Sequence, residues 1–245
     1  MSKIFLTIAI GLSCLLATSS ACSTNTVSIV KLPWKNQGCN LTTSFELDHD
    51  QEVLVSASAG GKLPRNKDAI VAASVVVGGR ECLSALVGRN NTVRERSIGG
   101  SCSVVALNRD IKTVEMITKF SGGTSCQKGE LRIEERPRQQ IADLVTQRSG
   151  FTTVETLLQR AVTIDATVRA ASKHRSWVKG VVMTAPSDFP ICAASDEIPL
   201  SNNGRSVSFS CSRQVDARKF TTFSIEAIRR GRADYDYANF HAISN

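Results

Sequence analysis

Cysteine offers this chain more chemistry than any other residue type. There are eight: Cys14, Cys22, Cys39, Cys82, Cys102, Cys126, Cys192 and Cys211. Zinc would want closely paired thiols or a thiol–imidazole cluster. No Cys-x-x-Cys occurs and the three histidines are scattered, so no metal and no other cofactor is expected. Pairwise oxidation is the chemistry left. Spacing alone does not fix which cysteines pair, but an internal echo narrows the choice.

Arg96-Ser97-Ile98-Gly99-Gly100-Ser101-Cys102-Ser103 returns as Arg205-Ser206-Val207-Ser208-Phe209-Ser210-Cys211-Ser212, with five of eight positions identical and an offset of 109 residues. Downstream, Arg109 meets Arg218, Thr113 meets Thr222 and Gly122 meets Gly231. Upstream, Cys82 meets Cys192, and Leu41-Thr42-Thr43 meets Phe151-Thr152-Thr153. A period of about a whole domain reads as two tandem domains and not as a solenoid. The simplest pairing is then Cys82–Cys102 and Cys192–Cys211, one staple per copy. Cys39 and Cys126 both lack a counterpart in the second copy and are candidate partners of each other. A competing scheme joins Cys22 to Cys39 and leaves Cys126 free.

Other reactive patterns are weak. His49 stands between two aspartates, His174 among Lys173 and Arg175, and His241 near the C-terminus. None has a partner fixed by spacing, as a general base requires. No Gly-x-Ser-x-Gly elbow occurs. Gly78-Gly79 and Gly99-Gly100 read as hairpin or bulge glycines, since no phosphate-loop pattern surrounds them. Asp48, Asp50 and Glu52, like Asp234 and Asp236, lack the spacing of a calcium loop and read as solvated strand edges. Asn40 and Asn90-Asn91 are glycosylation acceptors in a eukaryotic context only. No catalytic residue is expected.

The oxidising setting follows from the N-terminus. Lys3, an apolar run from Ile4 to about Ala17 and the small residues Ser19, Ser20 and Ala21 form the three parts of a secretory signal. The run is too short to span a bilayer, and no later run reaches that length. Cleavage after Ala21 would leave Cys22 first, as in a bacterial lipoprotein. The resemblance to a lipobox is partial, because Ser19 stands where Leu or a similar residue is usual. Cys22 is therefore the candidate lipid-attachment residue. The protein is expected to be secreted or periplasmic, with anchoring through Cys22 as the alternative, and disulfides persist in such compartments.

The elements that must hold these cysteines are strands. Val27/Ile29, Phe45/Leu47, Val53/Val55/Ala57, residues 113–118 and 131–134 alternate with period two and are broken by Gly and Asn, the pattern of half-buried strands. Thr152-Thr153-Val154-Glu155 also resembles a helix capping box. The echo of Leu41-Thr42-Thr43, which heads a strand pattern, argues for strand. The fold expected is all-β: two tandem β-sandwich domains, Ig-like or jelly-roll. Residues 1–21 are the signal peptide, 22–136 the first domain, 137–150 a linker or first strand of the second, and 151–245 the second domain.

The net charge of +8 is dispersed over both copies. It draws an exported protein to anionic surfaces or glycans and otherwise serves solubility. Only two Trp and two Tyr are present, without an aromatic platform among the basic residues, which disfavours nucleic acid. Sandwiches present contacts on end loops. The candidate binding residues are Lys62, Arg65 and Lys67 in the first copy and Lys173, Arg175 and Trp177 in the second. Three functions are compatible: a non-enzymatic binding or adhesion module at a cell surface, a structural subunit of a surface coat using its edge strands, or a secreted enzyme of unrecognised type. The partner could be an anionic surface, a glycan or a protein.

Overall fold

Period-two alternation is realised as strand after strand. A computed structural model of the chain describes residues 26–31, 39–47, 49–62, 69–88, 95–122, 125–136, 139–146, 149–172, 176–185, 189–198, 205–230 and 233–244. Among these, the regular structure is all β. The first half carries β1 (Thr26–Lys31), β2 (Leu41–Phe45), β3 (Gln51–Lys62), β4 (Ile70–Val77), β5 (Arg80–Gly88), β6 (Glu95–Ala106), β7 (Lys112–Phe120) and β8 (Ser125–Glu135). The second carries β9 (Gln140–Thr146), β10 (Ser149–Val154), β11 (Arg160–Ser172), β12 (Ser176–Ala185), β13 (Phe189–Ile198), β14 (Arg205–Val215), β15 (Thr221–Arg230) and β16 (Ala233–Ser244). The Thr152-Thr153 stretch is strand β10, and residues 141–145 lie in strand β9.

The strands pair in two continuous runs. One runs β1-β8-β3-β6-β9-β16-β11-β14. The other runs β2-β7-β4-β5-β10-β15-β12-β13. All these pairings are antiparallel; one parallel contact, Val154 to Ser103, ties β10 to β6. The second half of each run repeats the order of the first. The halves join where β9 adds to β6 and β10 adds to β5. Register is set by which face is buried, because a one-residue slip would turn every apolar side chain to water. Strand β4 shows the outcome: Val71, Ala73, Val75 and Val77 are buried and Ile70 is turned out.

One buried apolar cluster draws on both runs. It gathers Val53, Val55 and Ala57 of β3 and Leu131 and Ile133 of β8 with Val71 and Val75 of β4 and Met116 of β7. It continues through Leu144 of β9 into Ile164 of β11, Phe240 of β16, and Phe223 and Ile225 of β15. Each of the larger of these side chains contributes about 1.5–3 kcal/mol when removed from water.

Disulfides hold the runs together at matching places. Cys82–Cys102 joins β5 to β6, and Cys192–Cys211 joins β13 to β14, both with Cα atoms 5.9 Å apart. Cys39 is disulfide-bonded as well. Its sulfur lies 3.1 Å from the Lys128 carbonyl oxygen on β8. The Cys126 backbone, also on β8, pairs with Gly61, and its side chain lies outside the described residues, as does Cys22. Replacing Cys82 and Cys102 together by Ala is expected to cost about 3 kcal/mol, from loop-closure entropy restored to the unfolded chain. Urea denaturation of the double variant beside the parent checks this, and an unchanged midpoint would rule the clamp out as a source of stability.

Two glycine pairs behave differently. Gly78 and Gly79 have φ of 56° and 79° and make the tight turn from β4 to β5, as two-residue hairpins require. Gly99 and Gly100 are not hairpin glycines; they lie within β6. A Cβ on Gly100 would stand 2.2 Å from the Asp143 carbonyl oxygen and 3.0 Å from the Leu144 Cα, so the bare backbone is what lets β9 lie alongside.

Candidate functional site

Two turns of the same build meet where the halves join. After β6 the chain turns through Leu107 to Asp110 and places Arg109 at φ 59°, its N–H donating to the Leu47 carbonyl (2.8 Å). After β14 it turns through Asp216 to Lys219 and places Arg218 at φ 55°, its N–H donating to the Thr156 carbonyl (2.7 Å). Left-handed backbone at a non-glycine residue is uncommon, and here it recurs at the two arginines that the sequence echo superimposes. Asp50 links the turns. Its Oδ1 accepts from the Asn108 N–H at 2.9 Å and its Oδ2 faces Arg218 Nη2 at 3.3 Å.

Beside them opens a cavity of about 290 Å³. The first half supplies Val77, Gly78 and Arg80 from the β4–β5 hairpin, Val104 and Val105 from β6, then Leu107 and Lys112. The second supplies Glu155, Arg218 and Phe220. The Arg80 guanidinium stacks over the Phe220 ring, 4.4 Å from its centroid, a cation–π contact. Glu155 is held from both ends of the residue: its N–H donates to the Ser103 carbonyl (2.9 Å) and its Oε2 accepts from the Val105 N–H (2.9 Å). Lys112 pairs with Asp110 at 2.8 Å. Arg80 has no carboxylate partner among the described residues.

A charge cluster centred on buried Glu52 also links the halves. Glu52, 8% exposed, accepts from Arg136 Nε at 2.5 Å, Arg160 Nη2 at 2.8 Å and the Leu157 N–H at 2.6 Å. Burial pulls the Arg136 guanidinium below the ordinary arginine range; Glu52 opposes that shift and Arg160 adds to it. Glu52 and Arg136 are thus not the solvated charges their sequence neighbourhoods suggest. Asp48-His49-Asp50 and Pro137-Arg138 flank them with polar residues, and only the fold shows that the Leu157 segment covers them.

The histidine nearest to chemistry is His241. Its Nδ1 bonds to the Asp143 carboxylate, and the Asp143 N–H donates to Ser101 Oγ at 3.0 Å. These three residue types make a catalytic triad when the histidine sits between the other two. Here Asp143 is in the middle, on β9 between β6 and β16, so the arrangement does not activate Ser101.

The basic residues expected to bind have a different place. Arg65, Lys67, Lys173 and Arg175 lie outside the described residues, as do the side chains of Lys62 and Trp177. By backbone, Lys62 ends β3 opposite Glu95 and Ser125, and Trp177 sits in β12 opposite Glu197 and Arg230. The cavity is at the other end of β3 and β6. Sequence reasoning missed Arg80, Lys112, Glu155 and Phe220; the Arg109–Arg218 match was the one signal pointing at this end.

No protein-family model matches the chain, and no curated protein matches it. Solved structures overlap it loosely. Dimeric latent PorU from Porphyromonas gingivalis is 11% identical over 91% of this chain, with a TM-score of 0.31. The mosquito-larvicidal Cry4Aa toxin from Bacillus thuringiensis is 6% identical over 86%, at 0.26. The CBM22-1–CBM22-2 tandem domain of Paenibacillus barcinonensis Xyn10C is 7% identical over 93%, at 0.22. The chain spans 22% of PorU, 59% of Cry4Aa and 98% of the CBM22 tandem. Likenesses this loose assign no function.

Proposed function

We propose that the protein is an exported, disulfide-stapled, non-enzymatic binding module acting at or outside a cell surface, and that it binds its ligand in the cavity between its halves. In this reading each half is a jelly-roll sandwich following a cleaved signal peptide. The pairing orders β1-β8-β3-β6 and β2-β7-β4-β5, repeated in the second half, are those of an eight-stranded jelly roll, and clamps on matching strands suit an oxidising compartment.

The observation that carries the binding reading is the cavity. It is concave and largely apolar, with a few charged groups converging on it, the usual form of a ligand site. Both halves contribute to its wall, so a ligand would also hold them together.

The test is retention on envelopes of the exporting cell. Arg80→Gln and Phe220→Ala, both at exposed positions, are expected to weaken retention about tenfold or more, a loss of about 1.4 kcal/mol, with an unchanged near-ultraviolet circular dichroism spectrum. Retention equal to the parent's in both variants would remove the cavity from the function.

A further inference from the structure

Resting on that reading, we infer that the cavity takes a short saccharide bearing a carboxylate, a uronic-acid type of sugar. At about 290 Å³ it lies at the small end of ligand pockets, with room for a short saccharide and not for a long chain. Three cations, Arg80, Lys112 and Arg218, face it against a single carboxylate, Glu155. The Arg218–Asp50 pair is solvent-exposed and the Lys112–Asp110 pair is exposed at its aspartate and half-buried at its lysine; pairs open to water hold weakly, so a ligand carboxylate can compete for both cations. Arg80 is the anchor. Its planar guanidinium matches a carboxylate with two parallel hydrogen bonds, and the Phe220 ring, 4.4 Å from its central carbon, supports it.

The remaining lining selects the rest of the ligand. Phe220 and Leu107 are 37% and 42% exposed, and offer apolar surface to the C–H face of a sugar ring. Glu155 Oε1 has no partner among the described residues and can accept from a ring hydroxyl. The same carboxylate repels the compact charge of a phosphate more strongly than carboxylates spread over two sugar rings, which sets the sugar acid above a phosphate.

The probes are digalacturonate, the neutral disaccharide lactose and inorganic phosphate, titrated by calorimetry into the mature, oxidised full chain. Digalacturonate is expected to bind saturably, at least about tenfold tighter than lactose, and more weakly as salt rises. Arg80→Gln should lose about tenfold for digalacturonate and nothing for lactose. Equal binding of the two sugars overturns the inference, and so does displacement of digalacturonate by phosphate at equal concentration. If neither sugar binds while envelope retention still needs Arg80, the ligand class falls and the binding reading stands. If retention is indifferent to Arg80 as well, both fall.

Discussion

Glu52→Gln is expected to lower the free energy of unfolding by about 3–5 kcal/mol, the range for removing one partner from a buried ion pair. The amide keeps the shape of the carboxylate but not its charge, and Arg136 is itself only 6% exposed at the side chain. The guanidinium would then be left buried beside Arg160 without the Glu52 charge that opposes its desolvation. The amide has one acceptor oxygen where the carboxylate has two: kept toward the Leu157 N–H and Arg160, it turns its NH2 group on the Arg136 donor, and reversed, it gives up the bond that fastens the segment from β10 to β11. Changing Glu52 and Arg136 together to Met should cost less than the single change, because replacing a buried pair by apolar groups of similar volume is often close to neutral. Urea denaturation of the parent, the single and the double variant decides the matter. A Glu52→Gln protein unfolding at the parental midpoint would show that the cluster holds nothing.

Gly100→Phe is the second large effect. Its Cβ would enter the space of the Asp143 carbonyl oxygen and the Leu144 Cα. Those are backbone atoms of β9, which is held on its far side by β16, so neither can step aside at small cost. Overpacking in a core costs about 1–3 kcal/mol and occasionally more; a collision with paired backbone belongs at or above the top of that range. The three ladder pairs from Gly99–Val145 to Ser101–Asp143 should open. Calorimetry should then resolve two transitions where the parent gives one, and the Leu144 and Val145 amides should exchange early. A single transition at the parental temperature would mean that β9 does not depend on a bare backbone at Gly100.

How much of this is legible in the sequence depends on distance along the chain. The strands are legible because alternation is local. Strand β10 is legible over its helix-like capping pattern because Leu41-Thr42-Thr43 offers a comparison, and two of the disulfides because the echo sets Cys82 and Cys102 against Cys192 and Cys211. Glu52 reads as one more solvated acid, since nothing near it announces Arg136, Arg160 or the covering segment. Gly99-Gly100 reads as a turn because the usual reason for two glycines is a turn, whereas here the reason is a neighbour more than forty residues away. The cavity is the extreme case. Arg80 and Phe220 are ordinary residues at the ends of strands in different halves, and only the joining of β5 to β10 and of β6 to β9 brings them face to face.

Opposite Ala57 in the first half stands Gly100; opposite Ala166 in the second stands Phe209. The phenylalanine ring lies over Gly180, where a Cβ would come within 2.6 Å of it. A further strand arriving at β14 in the register β9 takes at β6 would need its backbone where the Phe209 side chain begins. The glycine position on β6 admits a neighbouring backbone, which this chain supplies as β9, whereas the matching position on β14 is filled by an aromatic ring. One substitution in the echo thus turns a joining edge into a closed one.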